Sequence, residues 1–232
     1  MSAAENLAVE QAESHASNQP FGANFEFEAV LMDQLFSRVF HDLISPVSAV
    51  NNGVELVAEM GDEMAAEAMG LISDSARKAA DRLSIFRIAY GAAGSASGLD
   101  LKEARKVVLG WFEHGRVKID WPQSFLTFHK DLPPGTIKLV INMCLLGADV
   151  LSHGGTVELA IKDGHLVATC TGKRAWLKPE MADALELKLP VTEVNTYTCQ
   201  PYFTARMAQA LGRTMVYEAP SSEELILIAK LN

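Results

Sequence analysis

Apolar residues recur at steps of three and four through the first 90 positions, the spacing that makes one face of an α-helix hydrophobic. In the first segment this stripe consists of Leu31, Leu35, Val39, Leu43, Val47, Val50, Val54 and Val57. In the second segment it consists of Ala65, Met69, Ile72, Ala76, Ala79, Leu83, Phe86 and Tyr90. Gly61 interrupts the pattern and Asp62 is a favourable N-cap. The pattern therefore predicts two long helices, at 25–60 and 62–90.

The rest of the chain alternates between helical and strand patterns, after a stretch rich in glycine, alanine and serine at 91–98. Helices are predicted at 101–113, 136–151, 179–184 and 201–211. Strands are predicted at 116–121, 125–129, 156–161, 165–171, 213–218 and 225–230. Asp163-Gly164 is typical of a tight hairpin turn between two of these strands. Helices on one side of a mixed sheet form a sandwich, so the predicted fold class is α+β.

A hairpin of two amphipathic helices leaves part of its apolar surface in water. Pairing two copies into a four-helix bundle removes that exposure, so we predict a homodimer. The predicted organisation is a flexible tail at 1–24, a dimerising helical hairpin at 25–93, a linker at 94–98 and an α/β sandwich at 99–232.

Composition excludes several classes of function. The three cysteines share no C-x-x-C spacing, so neither a disulfide framework nor a zinc site is expected, and we predict buried thiols. A formal net charge of −9 argues against nonspecific binding to nucleic acid, which depends on cations that neutralise phosphates. The sequence lacks a run of eighteen apolar residues and shows no signal-peptide pattern, so we expect a cytoplasmic protein rather than a membrane protein.

The polar face of the first predicted helix carries a histidine beside an acid. At about 100° of rotation per residue, His41 lies opposite the apolar stripe. The residues that share its face are Gln34, Arg38, Ser45, Ser48, Asn52 and Glu55. A histidine on a helix is most often only a solvated side chain, so its neighbours decide the interpretation. Asp42 can accept a hydrogen bond from Nδ1 of His41, which leaves Nε2 as a nucleophile.

Two further residues near His41 support a chemical role. Ser45 follows one turn later, on the same face. Pro46 removes a backbone donor and its ring clashes with the carbonyl of Asp42, so we expect the helix to bend just past the histidine. A proline within a helix costs roughly 3 kcal/mol, which suggests that the bend has a purpose.

The segment F-H-D-L-I-S-P, which contains His41, Asp42, Ser45 and Pro46, resembles the H-box of two-component signalling proteins. In that motif a histidine precedes an acid, usually with threonine or asparagine four residues on and proline five on; here Ser45 is a conservative departure. The run from His41 to Leu56 resembles the ChpT-type histidine phosphotransferases of alphaproteobacteria more closely than a general sensor kinase. The resemblance extends over about residues 25–231 and implies that His41 accepts a phosphoryl group.

The order of elements after the linker resembles a degenerate ATP-binding domain of histidine kinases. The segment from Asn142 to Asp149 is similar to the kinase N-box, but its second asparagine is replaced by Leu146, and a leucine cannot coordinate Mg²⁺. Residues 167–172 lack the aspartate and second glycine of D-x-G-x-G, and no glycine occurs between Thr192 and Ala205. We therefore expect no ATP binding, and we interpret Asn142 as a structural polar residue of a helix.

These observations predict a histidine phosphotransferase that needs no cofactor of its own. His41 would carry a phosphoryl group between the aspartates of two receiver domains, and Mg²⁺ would come from the receiver. The resemblance implies a CckA-like hybrid kinase receiver as donor and CtrA-like and CpdR-like response regulators as acceptors. Candidate docking residues on the C-terminal side of His41 are Ile44, Ser48, Asn52 and Glu55. The alternatives are an autophosphorylating kinase fragment and a noncatalytic dimeric scaffold.

Overall fold

The computed structural model describes residues 25–59, 62–92, 100–123, 125 and 133–231. Two long helices form the N-terminal hairpin: α1 spans Phe25–Glu59 and α2 spans Asp62–Ala89. These bounds agree with the predicted helices to within one residue. The predicted tail, the whole predicted linker at 94–98 and residues 60 and 61 lie outside the described residues.

The C-terminal half contains helices and strands in the predicted order. Its helices are α3 at Leu101–Glu113, α4 at Thr136–Val150, α5 at Pro179–Leu185 and α6 at Cys199–Ala210, with a 3₁₀ turn at Val191–Glu193. Its strands are β1 at Val117–Asp120, β2 at Gly155–Lys162, β3 at His165–Thr171, β4 at Arg213–Ser221 and β5 at Glu224–Leu231. The α+β prediction is confirmed.

The strands form one sheet in the order β1-β2-β3-β5-β4. β1 runs parallel to β2, and the other neighbours are antiparallel. The hairpin between β2 and β3 turns at Asp163 and Gly164, whose φ angles of 51° and 78° are both left-handed, as the predicted tight turn requires. The sheet packs against α4 and α6 through its buried residues, which include Val157 and Leu159 of β2.

The predicted strand at 125–129 is wrong at its first residue. Phe125 has helical backbone, and its N–H donates to the carbonyl oxygen of Pro122 at 3.0 Å. Its ring is buried edge-on against Trp121, with 5.5 Å between the ring centroids. Phe125 therefore packs as part of a helical turn, and residues 126–129 lie outside the described part of the chain.

The hairpin and the sheet share a single hydrophobic core. Leu31 and Leu35 of α1 belong to this core together with the last turns of α2. Phe86 packs edge-on against Trp111 of α3 at 5.3 Å, and Tyr90 packs edge-on against Phe203 of α6 at 5.7 Å. We expected Phe86 and Tyr90 to face the other hairpin helix, but the C-terminal elements cover them instead, so the end of α2 is part of the second half of the fold.

The rest of the hairpin exposes a broad apolar face. Val47 and Val54, which we expected on the buried stripe, are each 54% exposed. The apolar residues exposed with them on the two helices are Met32, Phe36, Phe40, Ile44, Met69, Leu71 and Leu83. The buried side of α1 instead centres on Leu35, Pro46 and Gly53. The apolar stripe of α1 is therefore split between a face packed inside the chain and a face left in solvent.

The predicted thiols are buried. Cys144, Cys170 and Cys199 are free, and burial raises the pKa of Cys199 to about 11 and that of Cys170 to about 12. All three remain protonated at neutral pH. Over the residues that the structure covers, we find no helix with the length and hydropathy needed to cross a membrane.

Two glycine-to-alanine substitutions distinguish packing from helix propensity. A Cβ at Gly147 of α4 would lie 2.8 Å from Cγ2 of Val157 and 3.2 Å from Sγ of Cys170, whereas one at Gly70 of α2 meets nothing within 4 Å. We expect Gly147→Ala to lower the free energy of unfolding by about 1–3 kcal/mol, because the buried sheet must move. The control Gly70→Ala should raise it by up to about 1 kcal/mol. Urea denaturation measures both, and equal stability of the two variants would contradict the close packing of α4 on the sheet.

Candidate active site

His41 lies in the middle of α1 with its imidazole almost wholly in solvent. Its side chain is 87% exposed, and Nδ1 lies 3.3 Å from Oδ1 of Asp42. The carboxylate of Asp42 is more enclosed, at 26% exposed. When Nδ1 carries the proton and donates it to this carboxylate, the lone pair on Nε2 is free to attack an incoming group.

The other sequence-predicted site residues follow His41 along the exposed side of α1. Ser48 and Asn52 lie within about 20° of His41 around the helix axis, and Ser45 and Glu55 within about 40°. All four are exposed. Ile44 is 67% exposed and lies at the border between this polar row and the exposed apolar face. The structure thus brings these five residues together with His41 on one open surface.

The turn of α1 that contains Pro46 makes a contact with α2 that sequence analysis missed. Pro46 is buried within α1 and has no N–H to donate to the carbonyl oxygen of Asp42, four residues earlier. Nη1 of Arg82, in α2, donates to that carbonyl instead. The guanidinium carbon of Arg82 lies 5.8 Å from the centroid of the Trp111 ring in α3. Pro46 indicates from the sequence that the carbonyl oxygen of Asp42 lacks its helical donor. Only the register between α1 and α2 identifies Arg82 as the donor that replaces it.

Arg38 departs from its predicted position in solvent. Its Nη2 donates to Oδ1 of Asp149 at 2.7 Å, and the two side chains are only 15% and 25% exposed. Burial disfavours the charge of Arg38, but the pKa of the guanidinium is nevertheless held above its ordinary value, chiefly because the carboxylate of Asp149 attracts it and accepts its hydrogen bond. The helical face that we expected to be solvated throughout is therefore tied to α4 one turn before His41.

Asn142, in the segment similar to the kinase N-box, is completely buried and makes structural hydrogen bonds. Its Nδ2 donates to the carbonyl oxygens of Ala89 at 2.9 Å and Lys138 at 2.8 Å. Its Oδ1 accepts from Nε2 of Gln200 at 3.0 Å, and the hydroxyl of Tyr90 donates to Oε1 of Gln200 at 2.6 Å. Asn142 therefore joins α2, α4 and α6, and all of its amide atoms are used.

His41 does not line an enclosed pocket. A cleft of about 810 Å³ lies between α2, α3 and β1, and its lining includes Arg77, Arg87, Lys102 and Glu103 but not His41. Among the residues that the structure describes, no group of three or more His, Cys, Asp and Glu side chains is arranged to hold a metal. The imidazole thus presents a nucleophile to solvent, away from this cleft, and the other reacting groups must arrive with a partner.

Known proteins resemble the chain over most of its length. The model of the histidine phosphotransferase C-terminal domain family matches residues 101–223. Protein phosphotransferase ChpT of Brucella abortus (strain 2308) is 33% identical over 201 residues, which cover 84% of this chain and 93% of that protein. A solved bacterial phosphotransferase structure aligns over 91% of this chain and 98% of its own, with 30% identity and a TM-score of 0.70. A histidine kinase domain from Erythrobacter litoralis aligns at 11% identity with a TM-score of 0.36.

Proposed function

Since this chain belongs to the histidine phosphotransferase family, we propose that it relays a phosphoryl group through His41 between the aspartates of two receiver domains. The observation that carries the proposal is the exposed imidazole of His41, paired with Asp42 and outside the cleft between α2, α3 and β1. A nucleophile whose side chain is 87% exposed is suited to a macromolecular substrate, because few side chains surround it to bind a small molecule.

In the proposed transfer, every bond that forms or breaks belongs to His41 or to an aspartyl phosphate of a receiver. Nε2 of His41 attacks the phosphorus of an aspartyl phosphate, the P–N bond forms, and the P–O bond to the aspartate breaks with its electron pair. The ring becomes cationic, and the carboxylate of Asp42 stabilises it through Nδ1–H. The reverse sequence on a second receiver restores the imidazole. Phosphoryl transfer depends mainly on alignment and charge neutralisation, so Mg²⁺ on the receiver supplies the electrostatics.

The proposed donor is a CckA-like hybrid kinase receiver, and the proposed acceptors are CtrA-like and CpdR-like response regulators. The support for these partners is the likeness to ChpT-type phosphotransferases around His41. A receiver that places its aspartate against Nε2 would rest on the surface that continues from His41 through Ile44, Ser48, Asn52 and Glu55. One apolar and several polar side chains suit a transient contact.

We also propose that the hairpin dimerises. The exposed apolar residues of α1 and α2 include Phe36, Val47, Val54 and Leu83, and from Phe36 to Val54 of α1 they lie within about 80° of one another around the helix axis. Soluble monomers rarely leave such a patch in water. A second hairpin packed against this face would form a four-helix bundle and leave both copies of His41 accessible, because His41 lies on the neighbouring face of α1.

The kinase alternative is disfavoured by the residues that replace the nucleotide ligands. Leu146 and Cys170 are fully buried in the core, and the amide of Asn142 is occupied by hydrogen bonds. The scaffold alternative does not explain why the acid next to His41 contacts its ring nitrogen.

The first test of the proposal replaces His41. His41→Gln should abolish acceptance of label from a phosphorylated receiver while the circular dichroism spectrum stays unchanged, because the side chain is in solvent. Asp42→Asn should slow transfer by roughly tenfold, which corresponds to about 1.4 kcal/mol of lost transition-state stabilisation. The control His153→Gln removes another exposed histidine and should transfer normally. Labelling of the His41→Gln protein would contradict the assignment.

Docking is tested separately from chemistry. Glu55→Lys combined with Ser48→Tyr should raise the KM for the phosphorylated receiver while phosphoramidate, a small donor that needs no docking, still labels His41 at the normal rate. The control Glu180→Lys reverses one exposed acid in α5 and should leave KM unchanged. If the doubly substituted protein keeps its KM, the receiver docks elsewhere.

The dimer is tested by a charge in its proposed interface. We expect the unaltered protein to sediment as a dimer at micromolar concentration and Leu83→Glu to sediment as a folded monomer, because burying an unpaired carboxylate is unfavourable. Trp176→Glu, which alters an exposed apolar residue of the C-terminal half, should remain dimeric. A monomeric unaltered protein would show that the apolar face has another partner.

The kinase alternative is tested with Mg-ATP. Calorimetry should show no heat of binding, and incubation with γ-labelled ATP should give no labelled protein, since Leu146 offers no ligand to the metal. An active histidine kinase fragment serves as the positive control. Micromolar affinity would favour the kinase alternative over the relay.

A further inference from the structure

The carbonyl oxygen of Asp42, inside α1, accepts a hydrogen bond from outside the helix. In an unbroken helix the carbonyl oxygen of Asp42 would accept from the N–H of residue 46, but Pro46 has none. The bond that replaces it comes from Nη1 of Arg82 and is partly buried. A buried carbonyl without a donor is unfavourable, so Arg82 compensates for the proline.

We propose that Arg82 is a positioning residue for His41: it replaces the N–H that Pro46 lacks and so holds the turn in which Asp42 meets the imidazole. This inference rests on the proposed function of His41 and adds a residue to its machinery. Arg82 acts through the backbone of Asp42, whose carboxylate in turn contacts the imidazole of His41.

The position of the charge supports this role. The guanidinium binds the carbonyl oxygen of Asp42 and is not paired with its carboxylate, which stays 3.3 Å from Nδ1 of His41. One residue is therefore held by two different groups, its main chain by Arg82 and its side chain by His41. The orientation of the carboxylate follows from the orientation of the backbone that carries it.

Arginine has a specific advantage over lysine at this position. The guanidinium carbon of Arg82 lies 5.8 Å from the centroid of the Trp111 ring, so the planar group stacks on the indole. At the same time its Nη1 donates a hydrogen bond to α1. Trp111 in turn packs edge-on against Phe86 of α2. The turn of α1 beside His41 is thus connected through Arg82 to the core of the C-terminal half. The ammonium group of a lysine, which is more strongly hydrated, would lose the stacking on Trp111.

The test restores the missing donor by a second route. Four proteins are compared: the unaltered chain, Arg82→Met, Pro46→Ala, and the combination of the two substitutions. We expect Arg82→Met to slow labelling of His41 about tenfold with both phosphoramidate and a phosphorylated receiver. Pro46→Ala supplies an N–H to Asp42, so the combined protein should return to within about twofold of Pro46→Ala alone. Arg82→Lys, which keeps the charge and a donor, should be intermediate.

A second measurement does not depend on phosphoryl transfer. Nitrogen NMR of the His41 ring reports which nitrogen carries the proton. We expect the Nδ1–H tautomer to dominate in the unaltered protein, to decrease in Arg82→Met, and to recover when Pro46→Ala is added. Arg87→Met is the matched control, since Arg87 is an exposed arginine of the same helix whose nearest acid, Glu103, is 4.0 Å away.

Each contrary result has a distinct meaning. A normal rate and tautomer in Arg82→Met, or no recovery on adding Pro46→Ala, overturns the positioning role. A loss confined to the receiver, with phosphoramidate unaffected, would make Arg82 a docking cation and also overturns it. If neither donor labels the unaltered protein, the proposed function of His41 fails, and the tautomer measurement still decides the role of Arg82. Arg82→Lys provides the same comparison if Arg82→Met does not fold.

Discussion

The position of the hairpin on the rest of the molecule depends on one buried amide. Asn142 donates to the last carbonyl of α2 and accepts from Gln200 in α6, so three helices meet at a side chain with no exposed atom. Leaving either partner without a hydrogen bond in the core would cost more free energy than an ordinary hydrogen bond contributes. The arrangement of α2, α4 and α6 around Asn142, which we call the joint, is therefore specific. Tyr90 extends the joint by donating to Gln200, and burial raises the pKa of its phenol above the ordinary value, so it remains a donor.

The ion pair between Arg38 and Asp149 fixes the same joint from the other helix of the hairpin. Because α2 is held at its end and α1 is held one turn before His41, the histidine occupies a defined place beside the C-terminal half. A rigid joint of this kind suits a relay, in which the receiver must find the imidazole in one orientation. A kinase has a different requirement, since its nucleotide domain must carry the γ-phosphate to the histidine and then withdraw.

The sequence predicts local structure here far better than contacts between elements. Helix and strand bounds agree with the structure wherever periodicity, glycine and proline determine them, as in α3, β3 and the turn at Asp163. The position of Arg38 was wrong because a helical wheel shows only that a residue lies away from one stripe, and not that a carboxylate from α4 reaches it. Arg82 was missed for a related reason: the register of α1 against α2 depends on close packing such as Gly53 against Ile72, which no periodic pattern reveals. The predicted exposure of His41 agrees with the structure because no element of the C-terminal half that the structure describes covers its side chain, which the stripe does not reveal.

Three residues in the segments that resemble kinase motifs lie in the core of this protein. Leu146 is buried, and the amide of Asn142 forms hydrogen bonds to α2 and α6, so both residues contribute to packing between helices. Cys170 lies within the β3 ladder opposite Leu225, where an aspartate would place an unpaired charge in an apolar layer. A polar ligand at position 146 or 170 would likewise be a buried group that needs a partner. We infer that Leu146→Asn would destabilise the fold without creating a nucleotide site, since the neighbouring space is already filled.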